Sequence, residues 1–331
     1  WRQFHAHQVY GADSLSVMRS GARWLTLVSL GWALARWRRL RPRSLLDNAP
    51  LEKLLAKMVP LMRLPRLIQK GHLTALAVTA SSYSSGEHVT FYESAQDVPP
   101  WVRSQRKATR DRITHEHLLA SSAIPFVFPA KGITIDGHTE YFGDGSMRQS
   151  APIAAAIHLG AERVLVIGAG RMHEPRGDST APPSPSYPSL AQIAGHALSN
   201  IFLDALSVDV ERVQRINQTL SLIPEEKRTH SALRPVELLV IAPSQRLDAI
   251  AARHVGDLPG PVRTMLGALG VTSNMADVRG AALASYLLFE QGYTQELMAL
   301  GRADTLARRA DVCRFFGWKD TGAALRTRLP T

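Results

Sequence analysis

The residue with the clearest chemical potential is Asp144, an acid between two glycines in the run Gly143-Asp144-Gly145. It follows a strand-like segment, Thr139–Phe142, and precedes a helix of small residues. Open α/β sheets place reactive groups beyond the carboxyl ends of their strands, where this pattern puts the carboxylate. The flanking glycines allow a sharp turn and a close approach of another segment or a ligand. The spacing leaves two interpretations open, a catalytic acid or base and an ordinary Asp-Gly turn.

Histidine clusters give weaker signals. His115, His117 and His158 lie near Asp144 in the sequence, but no nucleophile motif accompanies them, so a Ser-His-Asp triad is not predicted. The runs His115-Glu116-His117 and Asp136-Gly137-His138 do not have the ligand spacing of zinc or calcium sites. We therefore predict no metal and no other cofactor.

The serines near the turn are also poor nucleophile candidates. The segment ASSYSSG over residues 80–86 is typical of a polar turn, and Ser146 is too close to Asp144 in sequence to align as its partner. We expect Ser122 and Pro125 to shape the site together with Gly143 and Gly145. For Ser122, helix capping or packing is the alternative role.

The stretch Ala120–Gly170 resembles the second half of the patatin-like lipid acyl hydrolases. The resemblance rests on the run ASSAIPFVFP, the Asp-Gly turn, a Pro-led helix, and Gly-Ala before the apolar strand Val164–Ile167. The family has Asp-Gly-Gly or Asp-Gly-Ala at the turn, where this chain has Ser146 in the third position. A softer similarity covers most of Ser44–Ser244.

The resemblance implies a three-layer α/β fold with a mostly parallel central sheet flanked by helices. It also implies a hydrolase of lipid acyl esters, of the phospholipase A or esterase type, that uses a Ser-Asp dyad. Asp144 would be the base of that dyad, and neither a histidine nor a cofactor would be needed.

Two parts of such an enzyme are missing from the sequence. No G-x-S-x-G nucleophile elbow occurs in the 331 residues, and no glycine-rich oxyanion loop occurs before residue 120. We therefore expect an N-terminally truncated chain that lacks its first strand, glycine loop and nucleophile, and is inactive as given. The alternative is a membrane-associated binding or scaffolding protein that keeps the fold without the chemistry.

The charge distribution predicts an anionic partner. The net charge is +11, and Trp1–Lys70 holds 13 basic residues against three acidic ones, which accounts for +10 of it. Such an excess suits a phospholipid surface or a nucleic acid. No nucleic-acid-binding module accompanies it, so nucleic acid is not expected. The single cysteine, Cys313, excludes an internal disulfide.

An apolar, tryptophan-containing run over Trp24–Ala35 precedes the basic run Arg36–Arg43. This combination is typical of an interfacial membrane anchor, and a cap helix with a solvated basic tail is the alternative. The expected membrane contacts are Trp24, Trp32, Trp37, Arg38 and Arg39. No apolar run approaches the roughly 20 residues of a membrane span. We expect a cytoplasmic protein, peripheral on the inner face of the membrane.

The chain is predicted to form one domain over residues 1–331. Within it we distinguish the basic helical segment 1–43, a Pro/Ser-rich loop over 168–189 and a helical extension over 245–331. Strand-like runs alternate with helical ones, which favours a mostly parallel sheet. The predicted strands are Leu73–Thr79, Glu87–Tyr92, Gly132–Ile135, Thr139–Phe142, Val164–Ile167 and Val236–Ala242.

Overall fold

The computed structural model describes residues 3–13, 17, 44–172, 189–228, 233–271 and 278–320. This part of the chain contains β-sheets with helices packed against them, so the expected α/β class is confirmed. A six-stranded sheet has the order β3-β4-β2-β1-β6-β5. Its strands are β1 (Ala75–Ser82), β2 (His88–Ser94), β3 (Val102–Arg103), β4 (Arg106–Arg110), β5 (Lys131–Ile135) and β6 (His138–Asp144). A separate parallel pair is formed by β7 (Arg163–Ile167) and β8 (Glu237–Ile241).

The α-helices of the described residues are α1 (Ala49–Met58), α2 (Leu64–Gln69), α3 (His115–Ser121), α4 (Ala154–His158), α5 (Leu190–Ser221), α6 (Glu225–Arg228), α7 (Leu247–His254), α8 (Gly260–Ala268), α9 (Val278–Ser285), α10 (Gln291–Ala307) and α11 (Arg309–Phe316). Short 3₁₀ helices cover Ala6–Gln8, Leu61–Arg63, Gly145–Arg148 and Val255–Asp257.

The six-stranded sheet is mixed, so the prediction of a mostly parallel central sheet is wrong. Strand β1 is antiparallel to β2 and β6, and β5 is antiparallel to β6, whereas β2 and β4 are parallel. Residues 83–87 join β1 to β2, and Asp136-Gly137 joins β5 to β6. Connections this short reverse the chain direction, because a parallel crossover needs about a dozen residues or more.

One face of the six-stranded sheet forms a hydrophobic core with α2 and α3. Leu64 and Ile68 of α2 are buried against it, and their spacing of four residues puts both on one side of the helix. The strand residues of this core are Val78, Ala80, Val89, Phe91, Ile133, Ile135 and Phe142. Strand β6, which carries Asp144 at its end, is therefore fixed by burial of its own apolar residues.

The first residues of the chain and the C-terminal helices share another hydrophobic cluster. Ala6, Val9 and Tyr10 are buried together with residues of α7, α8, α9 and α10. The Tyr10 hydroxyl donates to the carbonyl of Leu287 at 2.8 Å, and Glu290 accepts from the backbone N–H of Ala6 at 3.1 Å. The helices beyond residue 245 thus pack directly on the N-terminal segment, while the division of the chain into regions stays a prediction.

The predicted strands are confirmed with shifted ends, and two elements differ from the prediction. Strands β3 and β4 do not occur among the predicted strands. Strand β3 is at the edge of the sheet and β4 lies next to it, and charged residues are common at a sheet edge because they discourage pairing with other chains. Beyond residue 245, the described residues form the separate helices α7 to α11, and α8 ends before Gly270, whose φ is +99°.

A charged cluster joins α7 to α10. The His254 ring contacts Asp257 through Nδ1 at 2.7 Å and Glu296 through Nε2 at 2.8 Å, and Arg253 pairs with the same Glu296. Gly292 permits this approach, because a Cβ there would lie 3.1 Å from Asp257 Oδ2 and 3.2 Å from the imidazole. Burial lowers the pKa of His254, but its hydrogen bonds with the two carboxylates outweigh burial and raise the pKa above 6.5.

We expect this cluster to make stability fall as the pH rises above 6.5. Because the folded-state pKa of His254 is raised, its contribution is complete below pH 6.5 and is lost as pH rises through the folded-state value. His254→Gln should therefore lower the urea midpoint at pH 5.5 and have a smaller effect at pH 9. Equal losses at both pH values would contradict the charged role. The matched control is His72→Gln, at an exposed position before β1.

Candidate functional site

Asp144 lies at the point where β6 meets the 3₁₀ helix Gly145–Arg148. Its side chain caps this short helix, since Oδ1 accepts a hydrogen bond from the backbone N–H of Ser146 at 2.8 Å. Its own N–H donates to the carbonyl of Ala123 at 3.0 Å, which ties the turn to the loop after α3. The residue is 9% exposed. The carboxylate is therefore held in one orientation at the end of a buried strand.

Both glycines are required by close contacts and not by backbone conformation, since neither has a positive φ. A Cβ on Gly145 would lie 2.3 Å from the carbonyl oxygen of Thr79 in β1. A Cβ on Gly143 would lie 2.4 Å from the hydroxyl of Tyr83. The turn is thus pressed against β1 on one side and covered by the Tyr83 phenol on the other.

Burial sets the electrostatics of this turn. It raises the pKa of Asp144 above 3.8, while hydrogen bonds from the backbone and side chain of Ser146 partly oppose the shift. Burial also raises the pKa of the Tyr83 phenol, and the nearby charge of Asp144 adds to that effect. A carboxylate with a raised pKa is a stronger proton acceptor than an exposed one, which suits a general base.

A row of three polar side chains, Ser81, His88 and Arg106, crosses the sheet beside the turn, and the sequence pattern does not indicate this grouping. Gly143 pairs with Ser81, Ser81 with His88, and His88 with Arg106, so all four lie on one face. Ser81 Oγ and His88 Nδ1 are buried and have no hydrogen-bond partner in the described part. Burial lowers the pKa of His88 to about 4, opposed by a hydrogen bond with the backbone of Gly145 and assisted by the charge of Arg106. His88 is therefore neutral at physiological pH.

The other sequence candidates lie in identifiable places. The Ser122 hydroxyl donates to the carbonyl of Leu118 at 2.9 Å, which caps the end of α3, the alternative role considered for it. Pro125 is half-buried in the loop that follows Ala123, whose carbonyl receives the Asp144 N–H. Both residues thus belong to the loop that supports the turn, and their roles in shaping a substrate site stay predictions.

The three histidines near Asp144 in sequence contact other groups. His115 Nε2 lies 2.9 Å from the carbonyl of Val59, and His117 Nδ1 lies 3.0 Å from the Thr114 hydroxyl. His158 stacks on Trp101, with ring centroids 4.7 Å apart. Among the described residues, no group of three His, Cys, Asp or Glu side chains is placed to hold a metal ion.

Three further observations concern the surface. Trp24, Trp32, Trp37, Arg38 and Arg39, the expected membrane contacts, lie outside the described residues, as does most of the 168–189 loop. Within the described ranges, no helix is both long enough and apolar enough to span a bilayer. A groove of about 400 Å³ lies along α5, where Arg215, Ile216 and Leu220 line it, but Asp144 does not.

One family model matches the part of the chain that contains Asp144. Residues 10–157 match the family model described as "Patatin-like phospholipase", and this range includes β1, β2, β6 and Asp144. Searches of curated proteins and of solved structures found no match. The family match ends at residue 157, so the resemblance over residues 158–170 and the softer similarity up to Ser244 stay predictions. Residues 10–157 of this chain are therefore similar to a patatin-like phospholipase domain.

Proposed function

We propose that Asp144 is the general base of a Ser-Asp dyad that hydrolyses acyl esters of lipids. The observation that carries the proposal is a buried, hydrogen-bonded carboxylate with a raised pKa on the Gly143-Asp144-Gly145 turn, inside the family match. The turn is rigid, because β1, Tyr83 and the Ala123 carbonyl all contact it. A rigid base can meet a hydroxyl at hydrogen-bond distance without reorganising.

In the proposed reaction, Asp144 accepts and returns the proton in both acylation and deacylation. The Asp144 carboxylate would take the proton of a serine hydroxyl while the serine oxygen attacks the ester carbonyl carbon and forms a tetrahedral oxyanion. Collapse of this intermediate breaks the ester C–O bond, and the proton on Asp144 passes to the departing alcohol. The carboxylate would then take a proton from a water molecule as the water oxygen attacks the acyl-serine carbonyl carbon. Cleavage of the bond between that carbon and the serine oxygen releases the fatty acid, and the proton on Asp144 returns to the serine oxygen.

The nucleophile of this proposal comes from outside residues 1–331, because the sequence has no G-x-S-x-G elbow. The serines near Asp144 do not replace it. Ser81 is 3% exposed within β1, the Ser122 hydroxyl caps α3, and Ser146 already donates its N–H to Asp144. The oxyanion donors would come from the same outside segment, as the family resemblance implies.

A fluorophosphonate probe, which reacts with activated serines, tests this assignment. We expect no labelling of a polypeptide limited to residues 1–331, and labelling at a G-x-S-x-G serine of a longer polypeptide that contains these residues. Mass spectrometry of the adduct identifies the modified serine. An adduct on any serine within residues 1–331 would overturn the proposal of an external nucleophile.

A second candidate function is a membrane-associated binding or scaffolding protein without catalysis. The absence of the elbow motif from this sequence favours it. The same probe experiment separates the two functions, because a scaffolding protein stays unlabelled in the longer polypeptide as well.

A further inference from the structure

A strongly basic surface covers residues 53–70, which lie in α1, the 3₁₀ helix Leu61–Arg63, and α2. This stretch has five cations and no acid. All five cations are exposed, and within the described part of the chain none has a carboxylate partner within 4.0 Å. They are Lys53, Lys57, Arg63, Arg66 and Lys70. The nearest acid in sequence, Glu52, pairs with Lys131 at 3.1 Å.

The same surface exposes large apolar side chains between the cations. Met62 is 80% exposed, Met58 is 66% exposed, and Leu67 is 42% exposed. Scattered apolar residues are normal on protein surfaces, but here three exposed ones lie within ten residues of sequence, among cations that have no carboxylate partner in the described part of the chain. We call residues 53–70 the basic–methionine surface.

The basic–methionine surface is fixed to the core. Leu64 and Ile68 are buried against the six-stranded sheet, and the carbonyl of Val59 contacts His115 Nε2 at 2.9 Å. The guanidinium of Arg112 reaches the Met62 sulfur at 3.8 Å and adds a sixth cation from the loop before α3. Met62 therefore projects from an anchored segment and not from a frayed end.

We propose that the basic–methionine surface binds the surface of an anionic phospholipid bilayer. Interfacial segments need apolar side chains that enter the headgroup boundary and cations that stay at headgroup depth, and this surface presents both. The long stems of Lys and Arg can lie along the lipid while their charged ends remain hydrated. An acidic protein would satisfy the cations but would have no need for the exposed methionine and leucine side chains.

The proposal stands apart from the proposed hydrolysis. Capture by vesicles is measured without turnover, so a failure of the dyad leaves this inference intact, and a failure to bind leaves the dyad intact. The basic run Arg36–Arg43 could also attract vesicles, so the tests need a readout at the basic–methionine surface itself.

The first test is co-sedimentation of the whole chain with vesicles of phosphatidylcholine and phosphatidylglycerol. Each cation near an anionic membrane adds about fivefold in affinity, so Lys57→Gln with Arg66→Gln should weaken binding by about 25-fold. The matched control is Arg215→Gln with Lys227→Gln, two exposed cations on α5 and α6. Equal binding of the two double variants would overturn the proposal.

The second test reports the apolar contact locally. An environment-sensitive fluorophore is attached through Met62→Cys in a Cys313→Ser background, which removes the single native cysteine. We expect a blue shift on addition of anionic vesicles. The same label placed through Leu222→Cys, at a residue that is 81% exposed at the end of α5, should not shift.

Two outcomes contradict the proposal directly. Vesicle capture without a blue shift at position 62 would show that another part of the chain makes the contact. Binding to poly-glutamate that is insensitive to Met58→Ser and Met62→Ser, together with no vesicle capture, would identify the surface as a site for an acidic polypeptide.

Discussion

Asp144→Asn is expected to lower acyl-ester hydrolysis by about 100- to 10,000-fold in an active polypeptide that contains this chain. The amide keeps the shape of the side chain and can still accept the Ser146 N–H through its oxygen, but it cannot take a proton from a serine. The measurement is kcat with a chromogenic short-chain ester and with phospholipid vesicles. Full activity of the variant would remove Asp144 from the reaction.

The matched control for this prediction is Asp136→Asn. Asp136 also precedes a glycine and lies in the β5–β6 turn of the same hairpin, but it is exposed and has a φ of +50°, which asparagine tolerates. The replacement should leave hydrolysis unchanged. A comparable loss in both variants would indicate a general effect on the hairpin and not on the chemistry.

The Asp144→Asn variant should keep or gain stability although it loses activity. Because burial raises the folded-state pKa of Asp144, its contribution to stability is greatest at low pH and is lost as pH rises through that raised value. Above that raised pKa the ionised, buried side chain costs stability, and Asp144→Asn should unfold there at an equal or higher urea concentration. Hydrolysis should show the reciprocal behaviour, with an acidic limb displaced above pH 3.8.

The sequence could predict only those parts of the site whose residues are adjacent in the chain. Asp144 was identifiable because its glycines adjoin it in the chain. The sequence did not identify its neighbours Tyr83, Thr79 and His88. These residues reach the turn because β1 pairs with β2 and with β6, and β6 lies about 60 residues further along the chain. Around His88 the sequence shows only the alternation of residues 87–92, which is typical of any half-solvated strand.

The direction of the strands follows from the lengths of their connections and not from the order of strands and helices. Alternating strands and helices favoured a parallel sheet, whereas the five-residue and two-residue connections around β1–β2 and β5–β6 demanded hairpins. The strand β7 and its partner β8 are parallel, as expected for apolar runs separated by the long helix α5. Loop length therefore carries more information about pairing direction than the order of elements.

Gly145→Ala is expected to destabilise the fold by at least about 1–3 kcal/mol. The added methyl group would lie 2.3 Å from the Thr79 carbonyl oxygen and 2.6 Å from its Oγ1, and the closer of these is backbone inside a six-stranded sheet. Gly143→Ala should cost less, because the group it meets is the half-exposed Tyr83 phenol, which can rotate away. Urea denaturation followed by far-UV circular dichroism measures both.

The control for the glycine series is Gly301→Ala in α10, where nothing lies within 4 Å of the new Cβ. Alanine at a helix interior should stabilise by roughly 0.5–1 kcal/mol. Replacement of glycine by alanine should therefore destabilise the protein at the turn and stabilise it in the helix. A neutral Gly145→Ala would mean that β1 can retreat from the turn, and the rigid placement of the Asp144 carboxylate, on which its role as a base depends, would be lost with it.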